Sequence, residues 1–186
     1  NYRACASYDR ETWFRVPTSY DGTELTIRHV PEADYVWYAY FAPYSMERHE
    51  DLIAAAQQST RCAVEVIGET HDRQTIDMLT IGAAEEGRKP LWVFGRQHPG
   101  EPMAEWYMEG FIERLLDPAD GVSRALLEKA VIHAVPNMNP DGSRRGNLRT
   151  NALGVNLNRE WAEPSAEKSP EVLAVLQAME RLGVDL

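Results

Sequence analysis

The chain has 186 residues, 44% hydrophobic and 26% charged, with 19 Lys and Arg against 29 Asp and Glu for a net charge of −10. That composition excludes a disordered chain, and the length suffices for one full core or for one domain plus part of another. The acidic balance argues against a nucleic-acid partner and an anionic membrane surface, and no apolar run approaches the roughly 18 residues of a membrane-spanning helix.

Residue 1 is Asn, with neither Met nor an apolar leader behind it, so the numbering is expected to start inside a longer natural chain. Residues 1–44 carry 11 of the 17 aromatic side chains. Within them, residues 12–16, 24–28 and 35–41 read as strands, and Asp21-Gly22 reads as a hairpin turn between the first two. Three such strands do not make a stable sheet domain alone, so they are expected to close an all-β domain that begins earlier. Cys5 and Cys62 are too few for a disulfide framework and too dispersed for a cysteine-type zinc site. They are expected to be reduced thiols of a cytoplasmic protein.

From Ser45 the pattern changes. Ser45 is a candidate N-cap for a helix over residues 46–58. Residues 62–67, 75–81, 91–94 and 131–135 are β-branched or apolar runs that read as strands. Residues 102–116 form an amphipathic helical pattern stopped by Asp117-Pro118. Residues 170–182 form another, opened by Pro170 with Ser169 as its cap and closed by Gly183. Strands alternating with helices indicate an α/β layered domain. Between them lies a polar loop over residues 137–169. Its first part holds Arg144, Arg145, Arg149 and Arg159 against Asp141, a composition suited to capture of a carboxylate or phosphate.

Three constellations carry the chemistry. His98-Pro99-Gly100-Glu101 falls between a strand end and a helix start, where open α/β sheets place their sites. The Pro-Gly pair dictates a tight turn, which lets one imidazole and one carboxylate reach the same cation, a donor pair that suits zinc. Taken alone the motif also fits a plain strand-to-helix loop with Glu101 favoured by the helix dipole. Asn137-Met138-Asn139-Pro140-Asp141-Gly142 reads, taken alone, as a double turn. Arg149 and the run Gly154-Val155-Asn156-Leu157-Asn158-Arg159 bring a guanidinium beside an amide at Asn158 and Arg159, a natural clamp for a terminal carboxylate.

In this order the motifs resemble the zinc metallocarboxypeptidases, and their spelling is most similar to the cytosolic carboxypeptidase branch. The resemblance implies an α/β fold: a mixed-sheet α/β/α carboxypeptidase domain, incomplete here, over residues 43–186. Residues 1–42 would be the end of an all-β sandwich-like domain that precedes it in that branch. It implies hydrolysis of the C-terminal peptide bond of peptides or proteins, with one zinc ion as cofactor, and the basic loop is compatible with acidic C-terminal residues. His98 and Glu101 match two zinc ligands. Arg149 matches the arginine that polarises the scissile carbonyl, and Asn158 and Arg159 match the pair that binds the substrate carboxylate. The family's third ligand is a later histidine and its general base a later glutamate. The histidines here are His29, His49, His71, His98 and His133, none after Arg159, and His133 reads as a packed strand residue. Gly183-Val184-Asp185-Leu186 resembles the opening of the strand that would carry the missing ligand. The segment alone is therefore expected to be inactive. Two other functions fit parts of the pattern: a zinc deacylase of N-acyl amino acids resembling the aspartoacylase group, and a non-catalytic module that binds C-termini.

Overall fold

The structure is a computed structural model and describes residues 2–184. The chain divides into two compact units between Pro43 and Tyr44.

The first unit is all β. Its strands are β1 (Cys5–Ser7), β2 (Phe14–Arg15), β3 (Thr18–Tyr20), β4 (Leu25–Ile27) and β5 (Trp37–Ala39). β1 is the centre of an antiparallel sheet in the order β2-β1-β5, and β3 and β4 form a separate hairpin. Ala4, Ala6 and Val16 are its buried centre, with Phe14 and Val36 packed on them. Two details depart from the sequence expectation. The Asp21-Gly22 turn joins β3 to β4, not the strand at residues 12–16 to that at 24–28. Pro17, which has no N–H to give a ladder, separates β2 from β3, and its carbonyl accepts from Arg28 N at 2.9 Å. β1, spelled Cys-Ala-Ser, lacks the β-branched alternation that marks strands and goes unread in the sequence.

The second unit is a layered α/β assembly. Helix α1 (Met46–Ala56) starts at Ser45, whose hydroxyl accepts from Arg48 N at 3.2 Å. Strands β6 (Cys62–Glu69) and β7 (Thr75–Ile81) follow, then β8 (Lys89–Phe94), α2 (Pro102–Leu116), α3 (Gly121–Leu127) and β9 (Ala130–Val135). The sheet order is β6-β7-β9-β8. β8 runs parallel to β9, and the other pairs are antiparallel, so the sheet is mixed. Leu52 of α1, with Met108, Ile112 and Leu115 of α2, packs on Leu79, Ile81, Ile132 and Ala134 on one face. α5 (Pro170–Leu182) covers the other, Val172, Val175 and Ala178 packing on Ile76, Met78 and Val135. The second unit is thus the expected mixed-sheet α/β/α arrangement, preceded in the chain by a strand-rich region.

The long polar loop is more ordered than its composition predicts. It contains α4 (Pro140–Arg145) and a short 3-10 helix over Leu157–Arg159. The Asn-Pro-Asp-Gly run is therefore a helix start and not a double turn. Asn139 Oδ1 accepts from Gly142 N at 3.0 Å, and Pro140 occupies the first helical position, where its missing N–H costs nothing. α3 opens with Gly121 and spans only seven residues, which is why its pattern is faint in the sequence. Ser169 stands at the start of α5, but its side chain makes no capping bond to that helix; its Oγ accepts from Ser165 N at 3.3 Å. Glu171, in the first turn of α5, is fully buried, and burial raises its carboxyl above the usual range. Its Oε2 accepts from Asn151 Nδ2 at 3.3 Å and ties the loop to the helix. Both cysteines are free thiols, and burial pushes that of Cys62 up to about 11. No helix among the described residues is long and apolar enough to cross a membrane. The strand opening expected at the end of the chain falls on Asp185 and Leu186, outside the described residues.

Candidate active site

The site grows from the exit of β8. At Gly95 the outgoing chain crosses that of β9: Gly95 N donates to Val135 O at 2.8 Å and its carbonyl accepts from Met138 N at 3.0 Å. A Cβ at Gly95 would stand 2.3 Å from Pro136 O. Arg96 follows in the left-handed region at φ 45°, a conformation that non-glycine residues hold only when the surroundings dictate it. Its buried guanidinium supplies them. Nε donates to Pro99 O at 3.0 Å, and Nη1 donates to Tyr44 O and to Glu105 Oε2, both at 2.7 Å. Glu105 has no exposed surface and also meets His49 Nδ1 at 2.7 Å, while His49 Nε2 lies 3.3 Å from Asp77 Oδ2. Burial alone would lower the His49 pKa. The Asp77 and Glu105 carboxylates outweigh it and lift the pKa to about 9. Two carboxylates and two cations thus neutralise one another beneath the turn over residues 98–101.

That turn closes with Glu101 N donating to His98 O at 3.0 Å and Gly100 N donating to Leu148 O at 2.9 Å. A Cβ on Gly100 would stand 2.6 Å from the Leu148 oxygen, so glycine permits the approach that brings the Arg149 segment of the loop onto the turn. As the spacing predicts, the side chains converge: His98 Nδ1 lies 3.1 Å from Glu101 Oε2. On the other side of the ring, Nε2 lies 3.2 Å from Asn156 Oδ1, which also accepts from Asn158 N at 3.2 Å. Nε2 thus faces an acceptor in Asn156 Oδ1 and a donor in the Arg149 guanidinium at 3.1 Å, while Nδ1 faces the carboxylate. An imidazole nitrogen and a carboxylate oxygen that converge to 3.1 Å fit a zinc ion in donor type. They supply two donors, and no group of three or more His, Cys, Asp and Glu able to hold a metal occurs among the described residues.

Arg149 reaches the same point. Its Nη1 lies 3.4 Å from Glu101 Oε1 and its Nη2 3.1 Å from His98 Nε2. Asn158 and Arg159 sit on the 3-10 helix with exposed side chains. Asn158 Oδ1 accepts from Gln97 Nε2 at 3.3 Å, which links it to the residue before His98. The Arg159 side chain has no hydrogen bond or ion pair among the described residues. The basic loop does not act as one anion trap. Arg145 is bidentate to Asp72 at 2.6 and 2.7 Å, and Arg144 donates to Gln74 Oε1 at 2.8 Å, so both fasten α4 to the β6–β7 turn. Asp141 does the same from inside, accepting from Thr70 Oγ1 and from Asp72 N. Only Arg149 and Arg159 of the four arginines remain for a ligand. His133 is the packed residue its strand position suggests: its Nδ1 lies 3.0 Å from Thr80 Oγ1, its ring centroid is 4.6 Å from that of Trp92, and burial lowers its pKa. Arg96, Gln97, Glu105, Asn156 and Trp161 escape sequence reading, although all flank or lie inside motifs it singles out.

Residues 49–179 match the zinc carboxypeptidase family, and residues 1–41 match the cytosolic carboxypeptidase N-terminal domain. A solved metallo-carboxypeptidase from Burkholderia cenocepacia is 52% identical over the whole chain with a TM-score of 0.95, and the chain covers 50% of it. A metallo-carboxypeptidase from Pseudomonas aeruginosa, solved in complex with (2-guanidinoethylmercapto)succinic acid, is also 52% identical, with a TM-score of 0.92 and 49% of that protein covered. Cytosolic carboxypeptidase 6 of Mus musculus is 31% identical over 83% of the chain, which spans 30% of the mouse protein. The chain thus spans half or less of the length of these relatives. The family match covers most of the second unit, the branch-specific match covers nearly all of the first, and half of the residues are shared with metallo-carboxypeptidases of the same fold: the chain belongs to the zinc carboxypeptidase family, in its cytosolic carboxypeptidase branch.

Proposed function

We propose that this chain is part of a cytoplasmic zinc carboxypeptidase that removes C-terminal residues, acidic ones among them, from peptides or proteins. In this reading residues 1–42 close the N-terminal β domain and residues 43–186 form the first part of the catalytic domain. The observation that carries the reading is the meeting of His98, Glu101 and Arg149 at the exit of β8, beside the turn that bears Asn158 and Arg159.

His98 and Glu101 would hold the zinc. Bound there, zinc supplies Lewis acidity, lowering the pKa of water toward 7 and polarising a carbonyl. This chain's own residues do the rest of the positioning. Asn156 Oδ1, 3.2 Å from Nε2, braces the His98 ring. Arg149 offers guanidinium N–H groups where negative charge develops on the scissile carbonyl oxygen, a contribution of about 3 kcal/mol for one such donor. Asn158 and Arg159 bind the terminal carboxylate, which restricts cleavage to chain ends. The Pseudomonas relative, solved with a succinic acid derivative, supports a site that accepts carboxylates.

Kinetics on the natural polypeptide test the assignment. Arg149→Ala should lower kcat about 100-fold or more with a smaller change in KM, because its partner charge exists only in the transition state. Arg159→Ala should chiefly raise KM for peptides with a free C-terminus. Equal hydrolysis of free and C-terminally amidated peptides, or a preference for N-acyl amino acids over tripeptides, contradicts the proposal.

A further inference from the structure

Asn158 and its neighbours contain a second layer of information, which lies in the polarity of their hydrogen bonds. Trp161 Nε1 donates to Gln97 Oε1 at 2.6 Å. An indole nitrogen only donates, so the atom of Gln97 that faces it must be the oxygen. This fixes which end of the Gln97 amide points the other way: Nε2, which donates to Asn158 Oδ1 at 3.3 Å. The Asn158 oxygen is thereby occupied, and the group it has left for a ligand is its Nδ2 amino group. Gln97 is held at both ends, since its backbone carbonyl accepts from Asn139 Nδ2 at 3.3 Å. Trp161 is held by packing, its ring centroid 5.8 Å from that of Phe94 and its body against the core under α5.

We infer that Trp161 and Gln97 are positioning residues that set the orientation of the Asn158 amide, so that it presents N–H and not C=O to the substrate's terminal carboxylate. An exposed asparagine left to itself turns over freely, and half of its orientations would aim an acceptor at an anion. The indole, the one member of the line that cannot reverse, imposes a single direction on the two amides that follow it. The device deepens the proposed function, since it rests on the reading of Asn158 as a carboxylate ligand. It selects for a terminal carboxylate over a terminal carboxamide, which offers both a donor and an acceptor and does not need the polarity fixed.

The test uses the natural polypeptide and a pair of peptides identical except for a free or an amidated C-terminus. The wild-type protein should prefer the free acid. Without that preference the clamp itself is wrong, and the relay falls with it. Given the preference, Trp161→Phe keeps the ring and removes the donor. It should raise KM for the free acid two- to fivefold, a modest loss because a bound carboxylate can reselect the orientation, with kcat within about twofold and the amidated peptide unaffected. Gln97→Glu is nearly isosteric and still accepts from Trp161, yet it has no N–H to give. It should turn the Asn158 oxygen toward the ligand and raise KM for the free acid at least tenfold. In an Asn158→Ala background the Trp161→Phe effect should vanish, and what remains of the Gln97→Glu effect measures its charge alone. If Trp161→Phe does not fold, Gln97→Glu read against the Asn158→Ala background carries the same test. Variants that keep the wild-type ratio of acid to amide, or that lose equally with and without Asn158, overturn the relay while leaving the clamp in place.

Discussion

At Gly95 the exits of β8 and β9 approach so closely that no side chain fits. An added Cβ meets a backbone carbonyl at 2.3 Å and Met108 Cγ at 2.6 Å, and the carbonyl has no room to swing away. Gly95→Ala should therefore destabilise the second unit by about 3 kcal/mol, toward the upper end for overpacking, because strands and not a flexible side chain must move. Urea unfolding checks this, and an unchanged midpoint would show that the two loops separate more easily than their hydrogen bonds indicate. The residue scale is also where the sequence is least legible. The meeting of His98 with Glu101 is readable, since a Pro-Gly pair between an imidazole and a carboxylate dictates the turn. The value of Gln97 and Trp161 is not, because it depends on which atom of an amide faces a donor 64 positions away. Asn156 stands in a motif that the eye gives to Asn158 and Arg159. Only the fold reveals that its oxygen faces the His98 ring while its neighbour two positions on faces Gln97.

Among the elements, α1, α2, β7 and the loop after β9 meet beneath the site through His49, Glu105, Asp77 and Asn137. His49 has its pKa lifted to about 9 in the folded chain, against roughly 6.5 when unfolded. Below about pH 6.5 both states carry the proton and the full stabilisation is present. Between about 6.5 and 9 the unfolded chain releases a proton that the folded chain keeps, so stability falls as pH rises, and the contribution is gone above 9. Melting curves of the wild type should decline through that window. His49→Gln should start lower and lose this slope, and parallel profiles for the two proteins would contradict the assignment. Legibility at this scale follows from punctuation. α2 and α5 open on prolines and have the bounds that the sequence predicts. The 3-10 helix and α4 are hidden in polar composition, because they are held by side-chain bonds such as Arg145 to Asp72 and not by an apolar face.

At the scale of the whole molecule, the described residues bring two donors, His98 and Glu101, to one point, and this sets an expectation. The 186 residues taken alone should bind zinc weakly, with a dissociation constant far above that of a site with three protein ligands, and chelators should shift their melting temperature little. Titration with a chromophoric zinc competitor checks this, and tight stoichiometric binding would reveal a third donor. At this scale the sequence is most legible, because three linked motifs in order carry family membership even where single strands go unread. One feature of the sheet bears on any preparation of the segment. β8 is a terminal strand among the described residues, six residues long, with Leu91 exposed on it. Its outer row of backbone N–H and C=O groups is a template for a strand from a neighbouring molecule, interrupted only at Pro90. Concentrated solutions of the segment should scatter light increasingly with time, and Leu91→Lys should slow this. For such a protein colloidal behaviour, alongside the strength of its core, bears on how long it remains usable in the tube.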